Sequence, residues 1–148
     1  MPQYNYYDPN QRPSAAEREA LVNFLHSHLE EYGDPAEDIS KCIAYALKES
    51  DSFGGYIVSA QEGEQLLGVV VINKTGMKGY IPENILVYIA THRDARGKGV
   101  GKGLMNEAIS RANGDVALHV EPENPARHLY EKLGFTNKYL EMRLQQSR

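Results

Sequence analysis

Apolar residues recur along this chain with two different periods, and the places where the period changes mark out its elements. Leu21, Leu25, Leu29 and Tyr32 follow the spacing of one helical face. Ser14-Ala15-Ala16-Glu17 stands ahead of them as a capping box, in which the serine hydroxyl and the glutamate each satisfy a backbone N–H of the first turn. A helix is therefore predicted from Ser14 to about Tyr32, with Gly33 as its stop. Asp34-Pro35-Ala36-Glu37 repeats the device with proline at the first helical position, and Ile39, Ile43, Ala46 and Leu47 give a second apolar face that ends near Ser50. The period then changes. Residues 55–60 and 65–72 are β-rich runs joined by Gln61-Glu62-Gly63-Glu64, which reads as a hairpin. The unbroken run Val69, Val70, Val71, Ile72 predicts a strand covered on both faces.

Gly76, Gly79 and Pro82 keep residues 73–82 irregular, and such segments often line sites. A strand over residues 85–91 leads into a glycine-rich turn. Beyond it a helix carries Val100, Leu104, Ala108 and Ile109 on one face, and residues 115–120 form a further strand. A helix containing Tyr130 and a last strand over residues 135–144 complete the pattern. The first thirteen residues, interrupted by Pro2, Pro9 and Pro13, read either as an irregular arm or as an edge strand around Tyr4, Tyr6 and Tyr7. Two leading helices followed by alternating strands and helices imply a layered α/β domain with a mixed sheet. At 148 residues, the whole chain, 1–148, reads as one domain.

The glycine-rich turn is Arg96-Gly97-Lys98-Gly99-Val100-Gly101-Lys102-Gly103, between a strand and a helix. Glycines let the backbone turn tightly and approach a ligand closely, and the helix that follows adds unpaired N–H groups and the positive end of its dipole. Arg93, Arg96, Lys98 and Lys102 surround the turn with positive charge. Together these features predict a pyrophosphate site. Two common kinds fail on spacing. A P-loop would need glycine where Arg96 stands and a hydroxyl where Gly103 stands, and the dinucleotide fingerprint meets Lys102 or Leu104 in place of its last glycine.

Arg96, Gly99 and Gly101 do match Arg-x-x-Gly-x-Gly, and in this the turn resembles the acyl-CoA pyrophosphate loop of the GNAT superfamily of N-acyltransferases. A second stretch, from Asn124 to Phe135, resembles a later helix of the same superfamily, with Ala126, Leu129, Tyr130, Leu133, Gly134 and Phe135 at the matching places. The resemblance covers roughly residues 50–144. It implies a mixed, mostly antiparallel GNAT-like sheet flanked by helices, a strand at the N-terminus, and a C-terminal end shorter than the usual hairpin, either simplified or completed by a partner chain as in a homodimer. It also implies acetyl-CoA as cofactor, transfer to a primary amine by direct attack in a ternary complex, and binding through Ile89, Ala90, Thr91, Arg96, Gly97, Lys98, Gly99, Val100, Gly101, Lys102 and Arg127. Tyr130 falls where the family commonly places an acid that reaches the cofactor's sulfur, and a phenol is protonated at neutral pH. The plainer reading of Tyr130 is a packed tyrosine beside Leu129 and Leu133.

The base is less well marked, because Ile85 stands where the family often has a glutamate on the strand. Glu83, two residues earlier, and Glu121 are the candidates, with His92 and His119 behind them and water as a further carrier. An ordinary solvated side chain is the plainer reading of each. The absent glutamate keeps a second class open, a non-catalytic acyl-CoA-binding or interaction domain.

Composition narrows the partners. The chain is 41% hydrophobic and 24% charged with a net charge of −4, which fits a soluble globular protein and argues against a general nucleic-acid binder. No apolar run nears the roughly 20 residues of a membrane span, and no signal core follows the N-terminus, so a cytoplasmic location is expected. The single cysteine, Cys42, reads as a helix-face residue rather than a nucleophile. His26 and His28, two apart on a helix, point to different faces, and no metal is expected. The acceptor is a small-molecule or peptide amine. Glu30, Glu31, Asp34, Glu37 and Asp38 crowd the junction of the first two helices, which in this superfamily commonly borders the acceptor side, and so suggest a cationic one.

Overall fold

A computed structural model describes residues 2–147. The chain divides into two compact units, Met1–Leu118 and His119–Arg148. The first holds a five-stranded sheet in the order β1-β2-β3-β4-β5, made of β1 (Gln3–Tyr7), β2 (Gly55–Glu62), β3 (Gln65–Lys74), β4 (Asn84–Thr91) and β5 (Val116–Leu118). Every pairing is antiparallel except β4 with β5. Of the two readings of the N-terminus, the edge strand is the one found: Tyr4, Tyr6 and their neighbours pair along β2.

Helices α1 (Ala15–His28) and α2 (Ala36–Ala46) pack on β2, β3 and β4. The capping box forms as predicted, with Ser14 Oγ accepting from Glu17 N–H and Glu17 Oε1 from Ser14 N–H. Leu21, Phe24 and Leu25 of α1 and Ile39, Ile43 and Ala46 of α2 meet Ile57, Val69, Val71, Tyr88 and Ala90 of the sheet in one core. Burial of each large side chain contributes roughly 1.5–3 kcal/mol. Helix α3 (Val100–Arg111) packs against β2, β3 and β4 through Val100, Leu104, Met105 and Ala108. There Gly68 lets the two pack closely, since a Cβ on it would stand 2.4 Å from Leu104 Cδ1 and the leucine would have to shift. Tyr56 ties α3 to the sheet by donating from its hydroxyl to Ala108 O at 2.6 Å. With helices packed against it, β3 has Val69, Val70, Val71 and Ile72 all buried, as their apolar run predicts.

Several boundaries differ from the sequence reading. Helix α1 ends at His28, and a separate 3-10 turn covers Glu30–Tyr32. Helix α2 ends at Ala46, four residues short of Ser50, where Lys48 turns to a positive φ of 57°. Pro35 rather than Asp34 is its N-cap, and a proline ring offers no acceptor, so no side chain caps the helix; Asp34 accepts the hydroxyl of Tyr88. Ile109 is 38% exposed rather than part of α3's buried face. In the second unit α4 (Ala126–Lys132) is the one regular element among the described residues. The strand expected over residues 135–144 is absent. Leu140, Met142 and Leu144 keep a strand's alternation but are 81%, 88% and 81% exposed, and alternation without a hydrogen-bonding neighbour makes no ladder.

Candidate active site

Strand β4 delivers the chain to the glycine loop, and its outer edge is only half paired. β5 covers Asn84, Ile85 and Leu86, and no strand lies beside the rest of β4 on that side among the described residues. The break coincides with a bulge: Val71 pairs with Tyr88 and Ile72 with Leu86, leaving Val87 extra. A bulge of this kind bends the strand locally, while its pairing with β3 continues to Gly68 and Thr91. On the other side His92 donates its N–H to Leu67 O at 2.7 Å. Backbone polar groups alternate sides along a strand, so those of Ile89 and Thr91 turn to the unpaired edge. An extended ligand can add there as a strand would.

This edge runs directly into the loop. A 3-10 turn, Arg93–Ala95, follows His92, and Gly97 and Gly99 then take positive φ of 80° and 82°. Gly99 is the N-cap of α3 in the left-handed region, where a side chain would be strained, and a Cβ on it would meet nothing within 4 Å. Its role is therefore conformational. The first closing bond of α3 runs from Gly103 N–H to Gly99 O at 3.0 Å, so the N–H groups of Val100, Gly101 and Lys102 are the helix's free first-turn donors. Lys98 and Lys102 are exposed and make no ion pair among the described residues.

The two arginines are held differently. Arg93 donates through Nη2 to Ser27 O at 2.9 Å and through Nε to Glu30 Oε1 at 3.2 Å. Arg96 donates to His28 O at 3.0 Å and lies 3.4 Å from the same Glu30 oxygen. They satisfy carbonyls at the end of α1 and fasten the loop to it. Glu30 reaches both from a φ of 56°, uncommon for a residue with a side chain.

Glu83 sits just ahead of β4, at the end opposite the loop; the seven steps from Asn84 to Thr91 span roughly 23 Å. Its Oε1 accepts from Asp115 N–H at 2.8 Å and its Oε2 from Gly79 N–H at 3.1 Å. These backbone donors hold the carboxyl below the usual carboxylate range. Glu83 thus pins residues 75–83 to the start of β5. Burial pushes the Cys42 thiol up to about 12, and it accepts from Asn73 Nδ2 at 3.4 Å, an inert packed group.

Tyr130, Glu121 and Arg127 belong to the second unit. Tyr130 is 7% exposed on α4, its ring 6.0 Å from that of Phe135, and its hydroxyl donates to no protein acceptor among the described residues. Burial pushes its phenol up to about 12. Arg127 lies 3.7 Å from Glu131, and Glu121 is exposed. Asn124 Oδ1 accepts from Ala126 N–H at 2.9 Å and caps the approach to α4.

Two arrangements escaped the sequence reading. Tyr88 donates to Asp34 Oδ2 at 2.5 Å, and the His28 and His92 rings lie 4.4 Å apart beneath the loop. Each partner is distant in sequence, and only the sheet brings them together.

Known proteins share the family and the fold. The Acetyltransferase (GNAT) family matches residues 17–135. A 5-NmdU N-acetyltransferase of Pseudomonas phage PaMx11 is 29% identical over 102 residues, 68% of this chain and 70% of the phage protein. The crystal structure of a transcriptional regulator from Bacillus halodurans C-125 shares the fold with a TM-score of 0.70 at 19% identity, covering 97% of this chain and 100% of that one. That of a ribosomal-protein-alanine N-acetyltransferase from Brucella melitensis biovar Abortus 2308 does so with a TM-score of 0.66 at 17% identity, over 99% and 100% of the two chains.

Proposed function

The chain belongs to the Acetyltransferase (GNAT) family, and from that premise we propose that it is an N-acetyltransferase that uses acetyl-CoA to acetylate a primary amine, with both substrates bound together. The observation that carries the proposal is the continuity of the unpaired β4 edge with the glycine loop. The residues present fit acetyl-CoA: Ile89 and Thr91 offer backbone groups to an extended arm, with Ala90 between them. Gly97, Gly99, Val100 and Gly101 offer a turn and free N–H groups to a pyrophosphate, with Lys98 and Lys102 as counter-charges. Arg96 acts by holding the loop in place, and Arg127 is assigned to the cofactor by the family motif alone.

Bound there, acetyl-CoA supplies an acetyl group activated as a thioester. The chain's part is to orient it and manage protons. Tyr130 is assigned by the family motif alone to protonate the leaving sulfur, and burial keeps its phenol protonated at neutral pH. The amine's proton leaves to water or to the exposed carboxylate of Glu121, while Glu83 is assigned a structural role. The name of the phage relative, a 5-NmdU N-acetyltransferase, supports a nitrogen acceptor.

A second reading, an acyl-CoA-binding domain without turnover, is favoured by the engagement of both Glu83 oxygens. Thiol release from acetyl-CoA separates the two, measured across polyamines, lysine peptides and 5-NmdU alongside calorimetric CoA binding. We expect turnover with at least one amine, and intersecting rather than parallel double-reciprocal lines. CoA binding with no acceptor turned over would establish the second reading.

A further inference from the structure

The loop that carries the glycines is set by a joint at the end of α1, and two histidines lie inside it. His28 is the last residue of α1, and its ring lies 4.5 Å from that of Phe24 and 4.4 Å from that of His92, tilted by 38° to each, while Phe24 and His92 are 6.4 Å apart. His28 Nδ1 accepts the N–H of Arg93 at 3.4 Å, and His92 Nδ1 accepts the N–H of Asp94 at 3.1 Å. These N–H groups belong to adjacent residues of the 3-10 turn that launches the phosphate loop. A nitrogen that accepts carries no proton, so both imidazoles are neutral in this arrangement with their single proton on Nε2. Adding a proton puts N–H against N–H at both positions.

We propose that His28 and His92 are positioning residues for the phosphate loop: their Nδ1 acceptors hold its launching turn, and protonation of His28 releases it, so that acidification weakens the binding of a pyrophosphate ligand. The charges facing the pair favour this response. Arg93 and Arg96 come from the loop side, and each histidine would face the other's charge. The opposing acids are Glu30, already engaged by both arginines, and Asp94, whose carboxylate is 88% exposed and 3.9 Å from His92 Nδ1. Burial first, then His92 and the two arginines, lowers the pKa of His28 below the usual histidine range. By linkage, the stability this neutral group contributes is fully present above the unfolded value and is lost as pH falls through the lower folded one.

The affinity half of the proposal rests on the loop binding CoA; the backbone half does not. Asparagine can place an oxygen near the Nδ1 position without titrating, so a His28→Asn/His92→Asn double variant keeps the acceptors and loses the switch. The CoA dissociation constant is measured by calorimetry for both proteins from about pH 7.5 down to about pH 4.5, a window that runs below the range of an ordinary imidazole because the pKa of His28 is lowered. Titration of the ligand's own phosphates is common to both and cancels. The native protein should lose about tenfold more affinity than the variant, the equivalent of one unit of linked protonation. In parallel, the backbone amide signals of Arg93 and Asp94 in the ligand-free native protein are followed by NMR. They should shift together with the ring protons of His28. Equal pH slopes for CoA in the two proteins, or amide signals indifferent to histidine protonation, overturn the proposal. If CoA binds neither protein at any pH, the cofactor assignment above fails, and the amide titration alone decides the joint.

Discussion

A phenol that acts as an acid must hold its proton across the working range and then let it go. Tyr130 meets the first condition through burial, which carries its pKa up to about 12, and its hydroxyl is engaged by no protein acceptor among the described residues. Tyr130→Phe keeps the ring and its contact with Phe135 while removing the proton. We expect kcat to fall by about 10- to 1000-fold, the range of a positioned acid or somewhat less, while the CoA dissociation constant from calorimetry stays unchanged. The raised pKa adds a sign: deprotonation of Tyr130 removes activity only as pH rises toward about 12, so it produces no alkaline loss of kcat near neutrality. Unaltered kcat in Tyr130→Phe would reduce this residue to packing.

At the scale of elements, the strand-loop-helix unit β4 to α3 was legible from the sequence, because its signals are local. An apolar run, glycines at fixed offsets and a helical face each constrain the backbone where they stand, and the structure has β4, two left-handed glycines and α3 in that order. What was not legible depends on partners far along the chain. Arg93 and Arg96 read as charges for a ligand, yet their guanidiniums reach residues more than sixty positions away. Asp34 read as a cap, and a tyrosine fifty-four residues on takes it. The tail from Phe135 kept a strand's alternation with no strand to pair against. This division makes a prediction for the loop. Gly99→Val places a β-branched residue at a φ of 82°, where L-residues are disfavoured by roughly 1–2 kcal/mol. Because no atom lies near the added Cβ, the fold should survive while the N-cap relaxes and the first-turn N–H groups swing away. Calorimetry should then show CoA affinity reduced by about tenfold or more, each 1.4 kcal/mol being tenfold. Full affinity in a variant with native thermal stability would remove the loop from the cofactor site.

For the whole molecule, the net charge of −4 hides a local separation of sign that bears on the acceptor. The acids at the α1–α2 junction are not equivalent. Glu30 pairs with Arg93 and Arg96, Asp34 accepts from Tyr88, and Glu37 and Asp38 lie 3.7 and 4.0 Å from Lys41. Glu31 is exposed and makes no ion pair among the described residues, which leaves it the freest of the five to attract a cation. Fields of this kind act on encounter, fade with salt and leave stability alone. Neutralising the two neighbouring glutamates should therefore have separable effects. Glu31→Gln should raise KM for a cationic amine by about two- to fivefold at low salt, a surface-charge effect of under 1 kcal/mol, with melting temperature and CoA affinity unchanged. Glu30→Gln should instead weaken CoA binding, because it unfastens the arginines that hold the loop. Steady-state kinetics at low and moderate salt provide the check, with an amine of low basicity, neutral at the assay pH, as the comparison. If Glu31→Gln alters KM equally for both amines, or for neither, a cationic acceptor drawn in by this junction is ruled out.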